Sequence, residues 1–153
     1  MKVISGGQTG VDRAALDAAI AAGLPVGGWC PRGRKAEDGV INQRYPLQET
    51  PSAGYAQRTE WNVRDSDGTL IFYISEMKGG TLLTMQMAER YGRPCWCVDL
   101  EKSRLPELPL RDSQSVLNVA GPRESEAPGI YQQVFIILKE LFWEEQRLLK
   151  FRK

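Results

Sequence analysis

The sequence predicts an α/β domain built on a mostly parallel sheet. Short apolar runs alternate with helical patterns along all 153 residues, with no internal repeats. Glycine-rich turns stand at the ends of three of those runs: Ser5-Gly6-Gly7-Gln8-Thr9-Gly10, Lys78-Gly79-Gly80-Thr81 and Ala120-Gly121-Pro122-Arg123-Glu124-Ser125. The length is that of one domain, spanning residues 1–153.

Lys2–Ser5 is a short apolar run stopped by Gly6 and Gly7, and it reads as a buried strand. Thr9 fits a helix N-cap, with Asp12 as its capping-box partner. In the helix from Gly10 to Ala22, the small residues Val11, Ala15, Ala18 and Ala22 form a stripe that lets it lie close to a sheet. Gly23 ends the helix and Val26–Cys30 reads as a second strand, completing a crossover expected to be right-handed. Pro31 to Gly54 is polar and irregular, a connection long enough to be functional or mobile. Its Arg32, Arg34 and Lys35 come after a strand end, where open α/β sheets bind ligands; a solvated charged loop is the alternative.

Tyr55–Arg64 reads as a short helix, and the apolar Thr69–Ile74 as the strand at the sheet centre. A helix over Thr81–Tyr91 is stopped by Gly92 and Pro94. Pro94–Leu100 gives a fourth strand, Glu101 to Ser113 a charged surface connection, and Ser115–Ala120 a fifth strand. From about Pro128 the last helix carries Ile130, Val134, Ile137, Leu138 and Leu141 on one core-facing stripe. Phe135, Phe142, Trp143 and Phe151 exceed what one face needs; a subunit interface is expected, with intrachain packing as the alternative.

Twenty basic against 19 acidic residues leave a net charge of +1, which gives no global signal for nucleic acid. No segment is long and apolar enough to cross a membrane, and no signal-peptide pattern is read at the start, so a cytoplasmic protein is expected. Cys30, Cys95 and Cys97 lack metal-site spacing. Cys95 and Cys97 alternate within a strand, so they should share a face, expected inward, as reduced thiols. The chain has no histidine, which excludes a Ser-His-Asp machine and a histidine-based zinc site. No metal ligand set is expected.

A strand that turns through glycines into a helix aims free backbone N–H groups, and the positive helix end, at one spot. Such a spot suits an anion, most often phosphate. Strand ends of a parallel sheet lie on one edge, so the three turns can converge. The first turn lacks both the dinucleotide fingerprint spacing and the Lys-Ser/Thr ending of a P-loop. Its Gly6, Gly7 and Gly10 still allow close backbone approach, and Gln8 and Thr9 can donate. Asp12 is a candidate general base or ribose contact, or only a cap; Arg13 is a phosphate clamp or a surface salt bridge. In the second turn Gly79 and Gly80 lead to Thr81 and Thr84 on one helix face. In the third, Gly121 leads to Arg123 and Ser125, a cation and a hydroxyl. Arg32 and Arg34 complete the candidate binding set, and Glu37 and Asp38 join Asp12 as candidate acid–base groups.

Several stretches together resemble the putative molybdenum carrier family: Ser5–Asp17, Gly27–Gly39, Arg58-Thr59 with Asn62-Val63, Ser66–Thr69, Gly79–Thr81 and Leu117–Arg123. That family is a circularly permuted branch of the SLOG, or lysine-decarboxylase-like, group of Rossmann-like proteins. The resemblance implies a Rossmann-like three-layer sandwich that tends to form dimers or tetramers. It also implies a nucleotide- or oxyanion-binding pocket over the strand ends. The carrier name comes from relatives thought to bind molybdenum cofactor. The group's cytokinin-activating phosphoribohydrolases carry Pro-Gly-Gly-x-Gly-Thr-x-x-Glu, whose glutamate helps cleave a nucleotide's N-glycosidic bond. Here Thr84 stands where that glutamate would be, and the glycine before the threonine is missing.

The expected function is therefore binding without catalysis. The ligand would be a nucleotide, a molybdopterin-type cofactor or an oxyanion such as molybdate, held by a homodimer or homotetramer with no nucleic-acid or membrane partner. The competing expectation is a nucleotide N-glycosidase or phosphoribohydrolase using Asp12, or Glu37 with Asp38.

Overall fold

The computed structural model describes residues 1–102 and 112–151, apart from the side chains of Leu149 and Phe151. In chain order the elements are β1 (Lys2–Ile4), α1 (Val11–Ala21), β2 (Val26–Gly27), β3 (Trp29–Cys30), β4 (Lys35–Ala36), β5 (Gly39–Val40) and β6 (Gln48–Glu49). They continue with α2 (Tyr55–Arg64), β7 (Gly68–Tyr73), α3 (Gly79–Arg90), β8 (Cys95–Asp99), β9 (Val116–Ala120) and α4 (Ile130–Phe151). The main sheet runs β2-β1-β9-β7-β8 with every pairing parallel.

Strand alternation divides the layers. Leu70 and Phe72 of β7, with Leu117 and Val119 of β9, join one core with α1 and α4, including Val11, Ala15, Ala18, Ile130, Val134 and Leu138. The small-residue stripe of α1 does what its composition promises and brings α1 against both α4 and the sheet. On the other face α2 packs against α3, and their N-terminal ends meet over the sheet's carboxyl edge.

Five expectations are corrected. The central strand is β9, which inserts between β1 and β7 after its long connection; β7 lies one place off centre. The expected strand Val26–Cys30 is broken at Gly28, which has a φ of 125°. A Cβ there would stand 2.9 Å from the Ser5 nitrogen, so β2 stays in the main sheet while β3 leaves to pair with β6.

The Pro31–Gly54 connection is irregular only in part. It contains the β4–β5 hairpin and the β3–β6 ladder, and Leu16, Cys30, Ala36, Ile41, Tyr45 and Leu47 form a second small core. Phe142 is fully buried in the main core, which favours intrachain packing for that residue, whereas Ile136 and Trp143 stay exposed. Phe151's side chain, and most of the connection from Glu101 to Ser113, lie outside the described residues. Finally, Cys95 is half-buried and Cys97 exposed rather than inward, because β8 is an edge strand; only Cys30 is buried. No described helix is long and apolar enough to cross a membrane.

Candidate functional site

The three glycine turns do converge. A cavity of about 300 Å³ opens over the carboxyl edge of the sheet, lined by Gly6, Gln8 and Asp12 from the first turn and Gly80, Thr81 and Thr84 from the second. Gly121, Arg123 and Glu126 supply the third side, and Tyr55, Arg58, Thr59 and Asn62 of α2 close the fourth. The volume is at the lower end of small-molecule sites.

Among the described residues, two donors on this wall have no partner. The Gln8 side-chain oxygen accepts from the N–H groups of Thr9 (3.0 Å) and Glu37 (2.9 Å), which fixes the carboxamide and leaves its NH₂ buried and unpaired. Arg58 donates from one terminal nitrogen to Asp12 at 3.2 Å, while its Nε is buried and unpaired. Each such orphan costs about 1–3 kcal/mol.

The backbone adds to the donor set. Among the described residues no side chain caps the N-terminus of α2, entered from Gly54, or of α3, entered from Lys78. Both helices therefore present free N–H groups and a positive dipole end beside the cavity. Thr84 donates its hydroxyl to the Gly80 carbonyl at 2.8 Å and so holds the first turn of α3 in shape. The Tyr55 ring has three cations near its centroid: Lys35 at 5.1 Å, Arg58 at 5.1 Å and Arg123 at 5.6 Å.

Two carboxylates oppose this charge. Glu126 is paired to Arg123 at 2.8 Å. Asp12 is 7% exposed, and burial pushes its carboxyl above the usual range, with Arg58 and the Gln8 N–H (3.3 Å) pulling the other way. Glycine leaves room for a close neighbour at two places on this wall. A Cβ on Gly6 would lie 2.8 Å from the Arg58 Cζ, and one on Gly121 would lie 2.9 Å from the Val11 Cβ. Both separations are shorter than packed carbons allow.

The cavity gathers Gly6, Gln8, Asp12, Gly80, Thr81, Thr84, Gly121 and Arg123 from the sequence-derived set. The others lie elsewhere. Thr9 is not the cap of α1: Gly10 takes that position with a φ of 77°, and the Thr9 hydroxyl donates to Glu37 instead. Glu37 also accepts from the Ser125 N–H (3.1 Å) and hydroxyl. Burial alone would raise the Glu37 carboxyl, but the hydrogen bonds from Ser125 and Thr9 outweigh it and hold it low.

Arg13 grips the Gly7 carbonyl (3.1 and 3.0 Å) and forks onto Asp38 (2.9 and 3.1 Å), whose carboxyl that hydrogen bonding holds low. Glu37 and Asp38, adjacent in sequence, are therefore tied to different partners away from the cavity. Arg34 is 8% exposed and donates to the carbonyls of Ile41, Leu47, Asn42 and Tyr45 at 2.8–3.2 Å. Four of its five N–H groups are committed to the small core. Arg32 and Gly79 are exposed and off the cavity wall.

Sequence reasoning did not single out Tyr55, Arg58, Thr59, Asn62, Asn118 or Glu126 as site residues. Arg58 and Asn62 stand in a stretch that carries the family resemblance, and their i, i+4 spacing on a short helix puts both on the face of α2 turned to the cavity.

The chain matches the Circularly permutated YpsA SLOG family over residues 3–142. It belongs to that family. This SLOG chain is also similar to the crystal structure of a protein named Putative molybdenum carrier protein from Syntrophus aciditrophicus SB. The identity is 46% over 92% of this chain and 93% of that one, with a TM-score of 0.83. No curated protein matches this SLOG chain.

Proposed function

We propose that this protein binds and carries a small phosphorylated ligand or oxyanion, in the class of a nucleotide, a molybdopterin-type cofactor or molybdate, in the cavity over the strand ends. The observation that carries this reading is the pair of buried, unpartnered donors, the Gln8 carboxamide NH₂ and the Arg58 Nε, on one wall. Hard oxygen acceptors satisfy both groups, and the open N-termini of α2 and α3 favour negative charge there. The similar protein's name, which describes a molybdenum carrier, agrees with that donor set. Molybdenum would enter as cargo, held through oxygens or a phosphate tail.

A calorimetric screen of AMP, ADP, molybdopterin and molybdate against inorganic phosphate tests the proposal. At least one is expected to bind more tightly than phosphate, and equal weak binding by all of them sinks the reading.

One observation favours a second reading, a nucleotide N-glycosidase: Asp12 lies in the cavity with its carboxyl raised by burial. Thr84 in place of a carboxylate, and the remote ties of Glu37 and Asp38, argue against it. Release of adenine from AMP that disappears in Asp12→Asn would establish the enzyme.

We also infer a homodimer. A groove between α1 and α4 exposes Ile136 and Trp143 beside Lys139 and Glu140, opposite charges that suit a second copy across a two-fold axis. Trp143→Glu is expected to halve the mass measured by light scattering.

A further inference from the structure

The cavity uses none of the cysteines. Cys95 and Cys97 nevertheless form a cluster of their own on β8, which among the described residues is an edge strand paired with β7 alone. Residues two apart on a strand share a face, and the two sulfurs lie 3.9 Å apart, one half-buried and the other open to solvent.

That separation has a chemical meaning. Two thiolates bound to one tetrahedral ion at about 2.3 Å stand about 3.8 Å from each other. A disulfide needs a sulfur–sulfur distance of about 2.05 Å, so the strand would have to distort to make one. The resting geometry already has the bite of a metal chelate.

We propose that Cys95 and Cys97 form a bidentate thiolate site for a thiophilic metal ion of tetrahedral preference, the class of zinc and cadmium. The site is independent of the anion cavity. Among the described residues no group of three or more cysteine and carboxylate side chains is gathered in metal-binding position. The pair therefore supplies two ligands and leaves two positions to water or an exogenous ligand. The bound ion is exchangeable rather than structural, since structural zinc sites are closed by four protein ligands.

Binding is a proton exchange: one divalent ion displaces both thiol protons, and two metal–sulfur bonds replace two S–H bonds. Both sulfurs bind as thiolates, so affinity rises with pH.

The test is a titration of the reduced, full-length protein with cadmium, monitored by the ultraviolet thiolate-to-metal charge-transfer band. The expected result is saturation at one cadmium per chain with release of two protons. Cys95→Ser and Cys97→Ser should each weaken binding by at least about tenfold, and Cys30→Ser should leave it unchanged. No band, a band that survives in the Cys95→Ser/Cys97→Ser double variant, or a band lost in Cys30→Ser overturns the proposal.

Should a serine variant fail to fold, maleimide labelling of the unmodified protein decides. Cadmium is expected to protect Cys95 and Cys97 together, and labelling of either at an unchanged rate refutes the site.

Discussion

The Gln8–Gly10 turn has two sides, and they are built on opposite principles. On the cavity side Gln8 and Arg58 each leave a buried donor without a partner, and Asp12 is held with its carboxyl raised. On the other side hardly anything is left over. Arg13 is shared between Gly7 and Asp38, Glu37 joins Thr9 to Ser125, and Asp17 accepts from Arg44, Tyr45 and Tyr131. Buried polar groups are normally paired, so the satisfied side reads as scaffold. The cavity side carries a deficit that a ligand would make good, and one residue's step along the turn separates the two.

Substitutions on the two sides should therefore fail differently. The largest effect is expected from Arg34→Ala, which strands four carbonyls around the small core. Chemical denaturation should show a loss of about 3–5 kcal/mol, and any ligand affinity should recover once the folded fraction is corrected for. Arg58→Ala should act on binding directly, besides the stability it loses by leaving the buried Asp12 without its partner. Calorimetry of the best-binding anion should show affinity down roughly a hundredfold, the loss of a charge-assisted hydrogen bond of about 1.5–3 kcal/mol. If Arg58→Ala leaves affinity intact, the cavity is not the binding site.

Gly6→Ala should displace the Arg58 guanidinium at a cost of about 1–3 kcal/mol in thermal melts, with weakened binding as a second readout. Normal affinity in this variant would mean that Arg58 does not work from its observed position.

The smallest effect is a divergence with pH. Asp38 and Glu37 are held below their ordinary values of 3.8 and 4.5. The stability they contribute is present above those values and is lost as pH falls through the lowered ones. Asp12 is raised above 3.8, so its contribution is full below that value and declines as pH rises through the raised one. Carboxyl-carbon NMR should show Asp12 titrating above the ordinary range and Asp38 below it. Exposed pairs are worth only about 0–1 kcal/mol, so acid should loosen the Thr9–Glu37–Ser125 tie without unfolding the chain. Titration in the reverse order would remove the contrast between the two sides.

Much of the fold is legible in the residues alone. Apolar runs, glycine stops and the helical stripe of Ile130, Val134 and Leu138 locate the sheet and helices, because those signals are local. Convergence of the turns is a consequence of parallel strands ending on one edge. What stays hidden is which way a residue faces when its partner is far along the chain. Arg34, in a basic run, looks like a ligand contact until Ile41, Asn42, Tyr45 and Leu47 fold their carbonyls onto it. Glu37 and Asp38 look like an acid–base pair until Ser125 and Arg13 draw them apart. Arg58 looks like an ordinary surface residue of a short helix, because nothing local reveals that Gly6 leaves it a berth.

Arg58 also owes its aim to a neighbour one helical turn along. Asn62 accepts from the Trp29 N–H at 2.8 Å and donates to the Trp29 carbonyl at 2.9 Å, the two bonds that an adjacent strand would otherwise make. A side chain thus acts as a register peg, fixing the rotation of α2 against β3 where no ladder could reach. The direction of the guanidinium depends on that peg together with the packing of α2 against α3. An Asn62→Leu protein should keep its helix and its fold yet point its central cation at the wrong place.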